Sequence, residues 1–205
     1  MAGGKYGYLR TSVSHNEAGN YKDGDGNRIH SSFERRNQML QLGLTPTENT
    51  LLTGTYERSR GEAAYADRMM DGSKFDRDAW NVRLVQRNIA PWFTELELRY
   101  GQSKIDHVMD TYSLRYLSMM GNQVKKAMNP KRETDTGHLK ATFDWPDINL
   151  QTGIDYMRDK HLARMEMRGE GYTHKPYQPQ QNFTQWGGFA EGAWTVNDSR
   201  KFIAG

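Results

Sequence analysis

His107-Val108-Met109 carries the plainest chemical potential in this 205-residue chain. On an extended strand, side chains two residues apart share a face, so an imidazole and a thioether placed this way can reach one ion. Thioether sulfur is a soft donor that suits Cu(I) and is poor for Mg2+ or Ca2+. Two readings of the triplet stand: a pair of ligands for a soft metal, or a loop histidine beside a packing methionine. The chain holds 11 methionines, and Met69-Met70, Met119-Met120, Met128, Met165 and Met167 fall in long polar stretches. There they either capture soft ions or act as flexible packing residues.

The remaining chemistry is sparser. His138 and His161 lie near the ends of strand-like segments, and with His15, His30 and His174 they read as solvated surface residues. Asp23-Gly24-Asp25-Gly26-Asn27 has the opening of a calcium loop. It lacks the closing glutamate and flanking helices of an EF-hand, so a glycine-rich hairpin tip is expected. With no cysteine in the chain, disulfides, thiolate zinc sites and cysteine nucleophiles are excluded. No nucleophile elbow, P-loop, dinucleotide fingerprint or zinc-protease motif occurs, and no enzyme is expected. Asp76-Arg77-Asp78 and the row Glu95, Glu97, Arg99 read as a salt-bridged, solvated wall. Lys and Arg number 28 against 25 Asp and Glu, a net charge of +3 without a basic stripe, so no nucleic-acid partner is expected.

The elements that hold these residues are strands. Only 36% of residues are hydrophobic and mean hydropathy is −0.92, yet 11% are aromatic. Period-two alternation recurs along the chain. Leu40, Leu42 and Leu44 share a face, as do Trp80, Val82 and Leu84; Leu96, Leu98 and Tyr100; Leu139, Ala141 and Phe143; Leu150, Thr152, Ile154 and Tyr156; and Trp186, Gly188, Ala190 and Trp194. About eight such segments precede a strand-like stub at 201–205. Parity puts His107 and Met109 on the polar face with Glu95, Glu97 and Arg99.

Connections fall into two classes. Short links lie at 45–49, 88–91, 146–147 and 197–199, and long polar stretches at about 17–30, 61–76, 107–131 and 162–181. Short turns on one side and long loops on the other are the pattern of outer-membrane barrels. In hydrocarbon, strands satisfy their backbone only by pairing in a barrel, which leaves every second side chain free to be polar. Tyr8, Trp80, Trp92, Phe93, Trp145, Trp186 and Trp194 sit near strand ends, where an interfacial aromatic girdle belongs. The expected fold is therefore all-β: antiparallel transmembrane β-barrel strands. They form either a slice of a larger barrel or a small closed eight-stranded one, with a soluble meander as the bland alternative. Long charged side chains on the lumenal face favour the wider barrel.

Asn20-Tyr21-Lys22-Asp23-Gly24-Asp25-Gly26-Asn27-Arg28, Ser32-Phe33-Glu34-Arg35-Arg36-Asn37, Tyr56-Glu57-Arg58-Ser59-Arg60-Gly61-Glu62 and Lys104-Ile105-Asp106-His107-Val108-Met109-Asp110 together resemble TonB-dependent copper receptors of Gram-negative outer membranes. The resemblance implies a barrel of about 22 strands around an N-terminal plug, with import driven through TonB. It implies a copper site built from a His-x-Met pair on the barrel and a Cys-x-x-x-Met pair on the plug. His107 and Met109 correspond to the barrel pair; the plug pair has no counterpart in this cysteine-free chain. Residues 1–205 are thus expected to be a partial receptor barrel domain without plug or signal peptide. The expected metal is copper, as Cu(I), and the expected partners are outer-membrane lipid, the copper ion and, in the intact receptor, the TonB complex. The rival function is a self-contained small outer-membrane barrel with a structural or adhesive role through its long loops.

Overall fold

The computed structural model describes residues 1–115, 125–197 and 199–205. They form one ten-stranded antiparallel sheet, its strands β1 (Ala2–Gly4), β2 (Gly7–Ala18), β3 (Phe33–Thr47), β4 (Thr50–Ala63), β5 (Asp71–Ala90), β6 (Phe93–Asp110), β7 (Ala127–Asp144), β8 (Ile148–Glu166), β9 (Gln178–Asn197) and β10 (Arg200–Ala204). Spatial order equals chain order, so every connection is a hairpin. The sequence reading of eight segments and a stub thus becomes eight long strands between two short ones, β1 being the addition. Among the described residues β1 pairs only with β2 and β10 only with β9. The sheet is open, a slice of barrel wall, and not the closed eight-stranded barrel kept as an alternative.

Register sorts the side chains onto two faces. Leu44, Leu52, Leu84, Leu98, Leu139 and Ile154 are successive partners across six strands, and all six are exposed. A continuous exposed apolar surface of this extent marks contact with something apolar. Tyr56, Trp80 and Tyr100 stand at its upper rim with Tyr156 and Trp186, where Trp80–Tyr100 and Tyr156–Trp186 ring centroids lie 5.6 and 4.6 Å apart. Trp92, Phe93, Phe143 and Trp145 stack at the lower rim. From Tyr156 down to Ile148 is eight residues of strand, about 26 Å, a height of about 20 Å after a tilt of about 40°, which approaches the roughly 25 Å apolar band of a barrel.

The opposite face is polar and internally paired. Glu97, 2% exposed, accepts two 2.9 Å hydrogen bonds from Arg83 and also meets Arg99. Asp159 is bound by Arg132, Thr134 and His161. A nearly buried carboxylate on this wall is tolerable because a guanidinium fork satisfies both oxygens.

Strands run well beyond the apolar band, and that corrects several sequence boundaries. Residues 17–18, 61–63, 71–76, 107–110, 127–131 and 162–166 belong to strands; the first long connection shifts to 19–32, and the described parts of the others shrink to 64–70, 111–115 with 125–126, and 167–177. Met128 and Met165 accordingly lie on β7 and β8, whereas Met69-Met70 and Met167 remain in connections. Met119-Met120 and Asp198, the middle of one short link, lie outside the described residues. The Asp23 segment is a hairpin tip: Lys22 bridges Arg28, and Gly26 adopts φ 86°. The Asn27 side chain and loop amides bind the Asp23 carboxylate and hold it below the usual carboxylate range.

Candidate functional site

His107 and Met109 project from the upper end of β6 on the polar face, seven and nine residues past the girdle residue Tyr100. At about 3.4 Å per residue, His107 stands about 24 Å further along the strand, clear of the apolar band. Strand geometry, and not a loop, therefore sets the two side chains on one side.

Local packing is specific around His107. Phe75 on β5 is its cross-strand partner, with ring centroids 4.4 Å apart. One residue of β5 bulges between Gly72 and Lys74, so Gly72 faces Met109 and Phe75 faces His107. A Cβ on Gly72 would strike the Phe75 ring, so glycine lets that ring lie flat beside the site. His107 Nε2 is buried and has no hydrogen-bond partner among the described residues. An orphaned buried nitrogen is unusual, because leaving one unmade costs about 1–3 kcal/mol. The ring also lines a cavity of about 450 Å3 with Phe33, Tyr65, Phe75, Arg35 and Arg77.

The backbone at His107 is fastened by a side chain. The β6–β7 register sets Pro130 opposite His107, and proline has no amide hydrogen to give. Asn129, 1% exposed, donates from Nδ2 to the His107 carbonyl at 2.8 Å and to the Asp106 carboxylate at 2.6 Å. Its own carbonyl accepts from Arg164 Nε and Tyr177 Oη, each at 2.8 Å.

Met109 has company that the sequence placed elsewhere. It pairs with Met128 on β7, which pairs with Met165 on β8. Three thioethers thus form a cross-strand row on the His107 face, their Cβ atoms about 5 Å apart from strand to strand. Nothing in the linear spacing 109, 128, 165 signals this; only the register does. Among the described residues there is no cluster of three His, Asp or Glu suited to a metal. The donors gathered here are imidazole and thioether, a soft set that fits Cu(I).

The other histidines separate from this site. His138, His161 and His15 face Asp155, Asp159 and Glu17 with Glu34, respectively. His30 departs from the expected solvated surface: it bonds the fully buried Asp71 at 2.8 Å. Asp71 also takes Arg115 Nε at 2.7 Å and the Tyr65 amide at 2.9 Å. This carboxylate joins the connections 19–32, 64–70 and 111–115. The signal in the sequence was faint, a lone aspartate at a strand start.

No family model matches the chain, and no curated protein sequence does. Among solved structures, the copper transporter OprC superposes with a TM-score of 0.86 at 33% identity, over 98% of this chain and 32% of its own. The chain therefore spans about a third of the length of that transporter. The outer membrane transporter YddB from Escherichia coli gives a TM-score of 0.39 at 10% identity, over 91% of this chain and 28% of its own, too distant to bear on function.

Proposed function

This chain belongs to the TonB-dependent copper receptors as a stretch of their barrel wall, and we propose that it binds copper for import across a Gram-negative outer membrane. The observation that carries the proposal is the buried, unpartnered Nε2 of His107 on the same strand face as Met109. A neutral imidazole nitrogen and a thioether sulfur are the donors a Cu(I) ion takes up, and among the described residues no proton donor competes for that nitrogen. Phe75 shields the imidazole from water, and Asn129 fixes its backbone.

In this reading the ion arrives from the long-loop side, where the exposed thioethers of Met128 and Met165 lie. It settles between His107 and Met109 and leaves inward when partner groups on a plug take it, in a step powered through TonB. The wall supplies two soft ligands and leaves the remaining coordination positions to other groups, so the ion is held firmly and can still be passed on.

The deciding experiment is a competition titration with Cu(I) kept reduced by ascorbate, on the chain in detergent and on its His107→Ala, Met109→Ala variant. One equivalent bound by the parent, with at least a tenfold weaker affinity in the variant, is expected. Equal affinity would sink the assignment and move binding to the other methionines.

A further inference from the structure

The lumenal face holds a second histidine beside a methionine, deeper than the first. His138 on β7 and Asp155 on β8 are cross-strand partners, and Met157 stands two residues above Asp155 on β8. Leu139 and Ile154, their chain neighbours, belong to the apolar row, so alternation turns His138, Asp155 and Met157 to the polar side. The partner of His138 on β6 is Arg99, eight residues below His107, which sets the second histidine about 27 Å lower along the strands.

The surroundings of the two histidines repeat one arrangement. At His107 the Phe75 ring lies over Gly72 and beside the imidazole, with Met109 two residues on. At His138 the Phe189 ring lies over Gly153, where a Cβ would strike it, and runs nearly parallel to the imidazole, 11° apart in plane and 6.3 Å between centroids. A ring laid over a glycine is a general device of sheets. Here each such ring also flanks a histidine with a thioether two positions away. His138 Nδ1 lies 2.6 Å from Asp155 Oδ1. A neutral ring that donates its Nδ1 proton to this carboxylate keeps a lone pair on Nε2, and Nε2 has no hydrogen-bond partner among the described residues. A carboxylate on one ring nitrogen and a metal on the other is the usual setting of a ligating histidine. His138 and Met157 are diagonal neighbours, their Cβ atoms about 7 Å apart, a span that an ion between imidazole and thioether closes. Both side chains open on one cavity of about 480 Å3. Gly187, opposite Asp155 on β9, puts no side chain into it, and Arg99 at its edge is tied to Glu97.

We propose that His138 and Met157 form a second, lower station for Cu(I) on the lumenal face, with Asp155 as the positioning residue that fixes the imidazole. The inference rests on the copper reading above and extends it from one site to a path. The donors are again one imidazole and one thioether, a soft pair suited to Cu(I). The His138 side chain is 27% exposed, whereas Nε2 of His107 is buried, so the lower station is the weaker of the two. An ion released by the upper pair meets it on the way inward and is let go again.

The test counts Cu(I), kept reduced by ascorbate, on the whole chain in neutral detergent. Its competitor is weaker than the one used for the upper pair, so that both stations register. The parent, H107A/M109A and H138Q/M157L are compared, and 15N resonances of the histidine side chains are followed in each. Expected are one equivalent fewer in each double variant than in the parent, and a shift of the His138 Nε2 resonance when Cu(I) is added to H107A/M109A. D155N is expected to weaken the lower equivalent about tenfold and leave the upper one unchanged; equal affinity at both would remove the positioning role. An equal count in the parent and H138Q/M157L, or a His138 resonance that Cu(I) does not move, overturns the lower station and leaves the upper pair standing. An equal count in the parent and H107A/M109A, with one fewer in H138Q/M157L, overturns the upper pair instead. Absence of binding by the parent overturns both. Should H138Q/M157L lose its β-sheet circular dichroism, H138Q is read in its place against the same count.

Discussion

Asn129 does for His107 what a backbone amide does elsewhere in the sheet. Pro130 cannot donate across to β6, and the carboxamide of its neighbour fills the gap while bonding Asp106, Arg164 and Tyr177. Groups that orient a ligand in this way are commonly worth 10–100-fold in metal affinity. Asn129→Ala is accordingly expected to weaken Cu(I) binding by about tenfold while leaving the sheet intact. The competition titration checks it, with β-sheet circular dichroism as the control for folding. Unchanged affinity would mean that Phe75 packing alone fixes the imidazole. Gly72 belongs to the same argument, since its missing side chain is the space in which the Phe75 ring lies.

Between strands, the elements most exposed to loosening are the long connections, which have few buried apolar contacts of their own. Asp71 compensates from the start of β5. It is fully buried and gathers His30, Arg115 and the Tyr65 amide, while Arg115 reaches on to the Arg68 carbonyl at 3.0 Å. Removing the carboxylate takes one counter-charge from a largely buried guanidinium, and breaking a buried pair typically costs about 3–5 kcal/mol. Most of that loss should appear as local opening, because the strand ladders do not depend on it. Asp71→Ala is expected to raise the rate of limited proteolysis in connection 19–32 or 64–70 about tenfold or more, with the strands still protected. Proteolysis at the parent rate would show that the connections are held by their own turns.

For the whole molecule, the test of the two faces is a charge placed on each. Leu98 is central in the apolar band and 48% exposed, and Asn81 sits on the polar face of the neighbouring strand, three residues above Leu84, the cross-strand partner of Leu98. Leu98→Arg is expected to destabilise the lipid-inserted protein by about 2–4 kcal/mol, and Asn81→Arg by less than about 1 kcal/mol. Reversible unfolding in lipid vesicles measures both; equal effects would remove the distinction between lipid face and lumenal face. The alternation of Leu96, Leu98 and Tyr100, the two loop classes and the aromatic clusters made strands, faces and barrel class legible from sequence, because a strand's side-chain period is local and fixed by the backbone. The pair His107 and Met109 was legible for the same reason, two residues apart on one strand. What the chain could not announce locally were the open edges at β1 and β10, the continuation of strands through residues 107–110 and 127–131, and the meeting of Met109, Met128 and Met165. Each depends on which residue of one strand faces which residue of the next. That register is set by bulges, by Pro130 and Asn129, and by ion pairs such as Arg83 with Glu97. They join residues far apart in sequence, so the tertiary structure alone decides them.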